Sequence, residues 1–379
     1  MNLVFRTVPE IVIETGGAIR LGEHAARYGR KALLITDPGI MKIGLANSAI
    51  DSLRSRLERV EIHSSIGADP TDLMAEDAIR TAQAMEADLV IGFGGGSSMD
   101  IAKIVAALAG APRQQLADVY GVDQVEAPRA LKLIQAPTTA GTGSEVTPIS
   151  ILTTGATTKS GIVDSALYAD MALLDAELTL GLPPAATAAT GVDAMVHAIE
   201  AYTSAHRKNL LSDNLARQAL ALLHTHLPRA VEDGSDIEAR RACLIGAMLA
   251  GQAFGNAPVA AVHALAYPLG GHFHIPHGLS NALVLQPVLR FNMQADAART
   301  AYGELGAVIG GNGSAEDFLN RMQALCERVG MAQQLRAHGI SHNDLPMLAA
   351  EAMKQSRLLV NNPRSVSVAD ALEIYNAVW

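Results

Sequence analysis

The sequence predicts a parallel α/β domain over residues 1–182 followed by an all-helical domain over residues 183–379. Three observations predict this fold class. In the first half, short β-rich runs alternate with amphipathic stretches, the pattern of βαβ units around a parallel sheet. One of those runs, LVIGF at residues 89–93, leads straight into Gly94-Gly95-Gly96-Ser97-Ser98. After Pro183-Pro184 nearly every segment carries a 3.6-residue period rich in Ala and Leu, and no convincing alternating strand follows.

The first clear internal strand is ALLIT at residues 32–36, which ends at Asp37 and is punctuated by Pro38-Gly39. A helical pattern covers residues 47–57, and VEIHS at 60–64 reads as the next strand. Residues 71–85 form a helix in which Met74, Ala78, Ala82 and Met85 recur at spacings of three and four, giving one apolar face. The uninterrupted apolar run at 89–93 is a strand buried on both faces. A helix from Met99 to about residue 108 follows the glycines. Strand KLIQ at 132–135 then precedes the small-residue loop Pro137-Thr138-Thr139-Ala140-Gly141-Thr142-Gly143-Ser144, and runs at 149–153 and 172–174 extend the strand-rich part.

Composition narrows the function classes. A chain of 379 residues fits two domains at roughly 100–200 residues each. Its 29 basic and 38 acidic residues give a net charge of −9 without a basic block, which argues against a nucleic-acid partner. Cys243 and Cys326 match no metal or redox spacing, and a reducing cytoplasmic setting is expected. MNLVFRTVPEIVIETG lacks a basic region followed by an apolar run, so it does not read as a signal peptide. The longest uncharged stretch, residues 242–273, contains Gln252, Asn256, Pro258, His263 and His272 and reads as buried helices rather than a membrane span.

Strand, glycine turn and helix together let backbone N–H groups and a helix N-terminus hold a pyrophosphate, because side chains there would block close approach. The spacing departs from G-x-G-x-x-G: glycines stand at 92, 94 and 96, and position 97 is Ser. A tight ligand-free βα connection is the competing explanation. Asp37, at the end of a strand, is placed to accept hydrogen bonds from an adenosine ribose, or else to cap a helix. The loop from Thr138 to Ser144 offers hydroxyls and backbone to further cofactor atoms.

In the helical half, TGVDAMVHAIEAY puts Asp193 and His197 four residues apart on one helix face, within reach of a common ion. His263 lies in a second apolar helical segment and His277 follows a Pro/Gly-bounded loop. One carboxylate and three imidazoles suit Fe(II) or Zn(II) with positions left for an oxygen substrate. A single histidine on an apolar face is more often a hydrogen-bonded core residue, so the grouping carries the argument. His24, His63, His206, His224, His226, His338 and His342 read as solvated, while His272 and His274 border the loop of His277.

FGGGSSMDIAK, PTTAGTGSEVT, LTLGLPPAATAATGVDAMVHAIEAY and NAPVAAVHALAYPLGGHFHIPHG, in that order, resemble the motifs of the iron-containing (group III) alcohol dehydrogenases. The resemblance spans essentially the whole chain. It implies a dehydroquinate synthase-like fold with a dinucleotide-binding α/β domain, an all-helical domain and an active site in the cleft between them. It implies that Asp193, His197, His263 and His277 are the metal ligands and that Gly94, Gly95, Gly96, Ser97 and Ser98 form the pyrophosphate loop. By the same resemblance Asp37 is the ribose residue, Thr138, Thr139, Thr142 and Ser144 form a second cofactor loop, and Lys159 reaches toward the nicotinamide. Asp69 stands where some members have Asn and contact adenine. Tyr267 stands where many members have a histidine near nicotinamide and substrate.

The expected activity is metal-dependent hydride transfer between a small alcohol, or its aldehyde or ketone, and NAD, with Fe(II) or Zn(II) as the ion. Alternatives are a glycerol-dehydrogenase-like zinc enzyme, a hydroxy-acid dehydrogenase of the same family, and a dehydroquinate-synthase-like lyase. The lyase chemistry needs several Lys and Arg near the ion, and the segments around Asp193, His263 and His277 have almost none. The expected partner is a small-molecule substrate, with neither nucleic acid nor membrane. A homo-oligomer is allowed, its subunit number left open.

Overall fold

The computed structural model describes residues 3–111, 114–126, 128–155 and 158–379. The chain divides into an α/β unit, Thr7–Thr139 with Gly143–Gly181, and a helical unit that holds Leu182–Trp379, Ala140–Thr142 and residues 3–6. The division is thus not a single cut. Arg6 is held to the helical unit by a pair of 2.8 Å hydrogen bonds, its N–H donating to Asn256 Oδ1 and its carbonyl accepting from Asn256 Nδ2.

In the α/β unit the strands are β1 (Glu10–Ile13), β2 (Lys31–Ile35), β3 (Arg59–His63), β4 (Leu89–Gly94), β5 (Gly121–Val122), β6 (Lys132–Pro137), β7 (Ile149–Thr154), β8 (Thr158–Val163) and β9 (Met171–Leu174). Helices α1 (Leu21–Ala25), α2 (Pro38–Lys42), α3 (Asn47–Arg56), α4 (Asp72–Ala84) and α5 (Gly96–Leu108) run between them. Six strands form one all-parallel sheet in the order β1-β9-β6-β4-β2-β3. Its central strand β4 is buried throughout, as an uninterrupted apolar run requires.

Three local features depart from the sequence expectation. Helix α5 begins at Gly96, not Met99, so the glycine turn is its first turn. Strand β7 leaves the main sheet and pairs antiparallel with β8, a strand that Thr158-Lys159-Ser160 conceals by its polarity. His63, expected to be solvated, is buried at the end of β3, where Ser65 Oγ lies 3.0 Å from its Nε2.

The helical unit comprises α6 (Pro184–Thr203), α7 (Leu210–Glu232), α8 (Ile237–Asn256), α9 (Ala261–Phe273), α10 (His277–Asn292), α11 (Asp296–Val308), α12 (Ala315–Arg328), α13 (Leu345–Ala352), α14 (Ser356–Leu359) and α15 (Val368–Asn376). The uncharged stretch at 242–273 falls on α8 and α9, which are bent by 106° at their junction, and no single helix among the described residues is long and apolar enough to cross a membrane. Helix α6 is buried over most of its length because small residues admit its neighbours closely. Gly191 faces Leu227 of α7, whose Cδ1 would lie 2.3 Å from a Cβ at that position.

The closest such approach joins α6 to α10. A Cβ at Gly278 would lie 2.1 Å from the Ala189 carbonyl oxygen, and backbone cannot swing aside as a side chain can. Gly278→Ala should therefore force the start of α10 away from α6 and cost about 1–3 kcal/mol, measured by urea denaturation of the ion-free protein. A midpoint and slope equal to those of the unmodified chain would show that α10 has no such constraint.

Candidate functional site

Within the helical unit, α6, α9 and α10 bring Asp193, His263 and His277 into one group whose ligand atoms all lie within 4.8 Å of one another. The Nε2 atoms of His277, His263 and His197 face the same oxygen, Asp193 Oδ1, at 3.5, 3.8 and 3.9 Å. His197 nonetheless stands outside the tight group. Its ring is stacked between Phe254, at a centroid distance of 4.3 Å, and His263, at 4.8 Å. Asp193 and His263 are buried, whereas the His277 side chain is 45 % exposed and forms the open side of the cluster.

The electrostatics leave these atoms ready to donate lone pairs. Burial raises the Asp193 carboxyl, but the three imidazoles and a hydrogen bond donated by the Asn281 amide outweigh it and hold the group below its ordinary value. Burial pushes His197 down to about 3, against the attraction of Asp193, so its imidazole is neutral at neutral pH.

Two residues of the cluster were not anticipated. Glu200, on α6, accepts from the N–H groups of Ala260 (3.0 Å) and Val262 (2.7 Å) and from His263 Nδ1 (2.6 Å). Because a carboxylate only accepts, Nδ1 of His263 carries the proton and its Nε2 lone pair faces Asp193. Asn281, fully buried on α10, donates from Nδ2 to Asp193 Oδ1 at 2.6 Å and lies 3.3 Å from Nε2 of both His263 and His277. The only sequence signal for either was position. Glu200 is the one other carboxylate of α6, and Asn281 stands one helical turn after His277.

Tyr267, one turn after His263 on α9, is half-buried in an otherwise largely buried helix, its ring 6.0 Å from that of His277. His272 and His274 are exposed at the end of the same helix.

In the α/β unit, the chain passes from β2 outward to β3 and then returns to place β4 on the other side of β2. That reversal is the topological switch point, where open parallel sheets bind ligands beyond the carboxyl ends of their strands. Asp37 follows β2 and the glycine turn follows β4, so they flank the switch point. The turn has room. A Cβ at Gly95 would meet nothing nearer than the Thr139 side chain at 3.8 Å, so packing alone does not demand glycine there. Gly92 is different, since a Cβ would fall 2.0 Å from Gln135 Oε1 and 2.9 Å from Ala102 Cβ, which lets α5 lie close on the sheet.

Asp37 Oδ1 caps α2 by accepting from Ile40 N–H at 3.0 Å, which fixes the carboxylate's orientation. Thr138 N–H donates to the Gly94 carbonyl at 3.0 Å and ties the second loop to the first; Thr139 and Thr142 are half-buried beyond it. Ser144 is buried and its hydroxyl is engaged by Asp100 and Lys103. Lys159 Nζ lies 2.5 Å from Asp69 Oδ1 and 2.9 Å from Thr153 Oγ1. This ion pair puts Lys159 and Asp69 side by side.

A parallel sheet with a glycine turn at its switch point stands in one chain with a helical unit bearing a carboxylate–imidazole cluster. Comparison with known proteins gives the class. The family model "Iron-containing alcohol dehydrogenase" matches residues 9–176, and "Fe-containing alcohol dehydrogenase family, C-terminal" matches residues 187–379. The chain is 41% identical over 378 residues to Long-chain-alcohol dehydrogenase 1 of Geobacillus thermodenitrificans, covering 96% of this chain and 93% of that protein. It is 33% identical to the sulfoacetaldehyde reductase of Bilophila wadsworthia, over 100% of this chain and 99% of that one. Among solved structures, a 1,3-propanediol oxidoreductase superposes with a TM-score of 0.95 at 31% identity, each chain covered completely. The sulfoacetaldehyde reductase of Bifidobacterium kashiwanohense in complex with NAD+ gives 0.90 at 27%, covering 100% of this chain and 99% of that one. The chain belongs to the iron-containing alcohol dehydrogenase family and is an alcohol dehydrogenase.

Glu200 offers the sharpest check of the cluster. Three donors converge on its two oxygens, and an amide in its place cannot accept all three. Glu200→Gln should weaken divalent-ion binding about 10–100-fold, measured by competition with a chromophoric chelator. Unchanged affinity would mean that the tautomer of His263 does not matter to the site.

Proposed function

We propose that this alcohol dehydrogenase transfers a hydride between a small alcohol, or its aldehyde or ketone, and NAD, with one divalent iron held by Asp193, His197, His263 and His277. The observation that carries the reading is the convergence of three Nε2 atoms on Asp193 Oδ1. The donor set fits a borderline divalent ion, because a carboxylate and neutral imidazoles are what such ions take. When bound, the ion supplies Lewis-acid polarisation of the alcohol or carbonyl oxygen and NAD supplies the hydride acceptor. The family's description favours iron over zinc. Relatives include a long-chain-alcohol dehydrogenase and a sulfoacetaldehyde reductase, the latter in complex with NAD+.

The chain's own residues do the rest. The first turn of α5, Gly96-Ser97-Ser98 with Gly95 before it, presents N–H groups that an α-helix leaves unpaired, aimed where a pyrophosphate would lie. Asp37 takes the ribose hydroxyls, and Thr138, Thr139 and Thr142 line the second loop. Asp69 and Lys159 act as one pair at one end of the cofactor. Tyr267 orients substrate or nicotinamide by packing and by a hydrogen bond from its hydroxyl. The chain is expected to act in the cytoplasm.

NADH absorbance with a panel of primary alcohols, diols and hydroxy acids tests the activity on Fe(II)-loaded protein. His277→Ala should lose the ion and nearly all turnover while keeping its far-ultraviolet circular dichroism. Full metal content with near-normal kcat would refute the ligand assignment, and metal analysis of the purified chain decides between iron and zinc.

Asp37 sets a second expectation. Its carboxylate would face the extra phosphate of NADP, so kcat/KM should favour NAD by about tenfold to a few hundredfold, or ~1.4–3.3 kcal/mol. Asp37→Gly should narrow that gap. Equal kcat/KM for the two cofactors in the unmodified enzyme would remove Asp37 from the ribose site.

A further inference from the structure

The α/β unit buries a lysine that the chemistry above does not use. Lys103, on α5, is fully buried, and each of its three N–H donors has a partner: Ser144 Oγ at 2.7 Å, Thr147 Oγ1 at 3.2 Å and the Ile149 carbonyl at 2.6 Å. Asp100, one turn earlier on the same helix, accepts from Ser144 Oγ at 2.6 Å and from Ile151 N–H at 2.9 Å, and its backbone carbonyl accepts from Ser150 Oγ at 3.1 Å. Asp100 and Lys103 themselves lie 3.7 Å apart. Two charged residues of α5 thus hold the segment from Ser144 to Ile151 by six hydrogen bonds.

The two ends of this network are both placed at cofactor loops. Helix α5 starts at the glycine turn, and Ser144 closes the loop that leaves β6 at Thr138. A buried ion pair adds little stability over apolar packing of the same volume, because desolvation offsets the attraction. What it fixes is geometry. Burial lowers the Lys103 ammonium only to about 8, so with Asp100 and Glu145 nearby it remains charged at neutral pH. The Ser144 hydroxyl donates its one proton to Asp100 and accepts from Lys103, which engages it in the network rather than aiming it at a ligand.

Resting on the NAD reading above, we propose that Lys103 is a positioning residue which, through Ser144, holds the second cofactor loop in register with the pyrophosphate-binding turn of α5. Ser144 serves cofactor binding indirectly, through this clamp, and not by touching NAD.

The test is a double-mutant cycle of Lys103→Met and Ser144→Ala, read by NADH binding fluorescence, by steady-state kinetics and by hydrogen–deuterium exchange of the ion-free, cofactor-free protein. Each single variant should raise the Kd for NADH about tenfold and the KM for NAD in parallel. At saturating NAD, kcat should stay within about threefold and metal content should not change. The double variant should bind NADH no more weakly than the worse single one, because both remove the same clamp. Exchange should rise in residues 144–151 and in the first turn of α5. Where Lys103→Met does not fold, Thr147→Val paired with Ser144→Ala replaces it. Additive losses would mean that Ser144 contacts the cofactor itself and would overturn the proposal. So would an unchanged Kd in the variants, or unchanged exchange. If the unmodified chain fails to bind NADH, the function proposed above falls and this inference with it, a result distinct from normal binding by both chains.

Discussion

The Glu200 carboxylate is the contact on which the helical unit's chemistry depends. It sits inside the unit where an unpaired charge would be costly, and it is matched by three donors from the start of α9. Those bonds satisfy two N–H groups at a helix entry that no side-chain cap serves. In the same stroke they set which nitrogen of His263 holds its proton. One carboxylate therefore terminates a helix, packs α9 against α6 and prepares a ligand atom. The rest of the tight group follows from the same packing: Asp193 lies two turns earlier on α6, and α10 brings His277, with Asn281 behind it, because glycine at 278 allows it to approach.

The α/β unit reaches its arrangement by topology instead of by a buried charge. Parallel strands end on the same edge, so the turn after β4 and the residue after β2 become neighbours once the chain reverses direction across the sheet. Both are local features of the sequence. Their meeting is a property of strand order alone, which explains how a glycine spacing that differs from the usual dinucleotide fingerprint can still offer the same row of N–H groups.

Much of this was legible in the amino-acid order. Short β-rich runs located β2, β3, β4 and β6, helical patterns located α3, α4 and most of α5, and the spacing of Asp193 and His197 placed both on one face of α6. The parts that were not legible depend on partners distant in sequence. Strand β8 is polar and exists because β7 pairs with it; β1 is a four-residue edge strand that β9 defines. His197 matches the ligand pattern, yet stacking on Phe254 sets it slightly apart from the other donors, and no helical spacing reveals a ring neighbour 57 residues away. Glu200 and Asn281 are ordinary polar residues until the structure puts His263 beside them. Lys103 ends the run FGGGSSMDIAK, and only the fold shows that it is buried.

The division of the chain also bears on how such enzymes can be recombined. Ala140–Thr142, in the midst of the α/β stretch, belongs with the helical unit, where Gly141 fits against Thr190 so closely that a Cβ would come within 2.7 Å of that side chain. Residues 3–6 belong there as well. Neither unit is a contiguous piece of sequence, so a chimera that joins the first 182 residues of one relative to the remainder of another would set a foreign tripeptide against α6 and a foreign N-terminal segment on the surface of the helical unit. Successful exchange of substrate specificity between relatives calls for transplanting 3–6 and 140–142 together with the helices, in three separate splices.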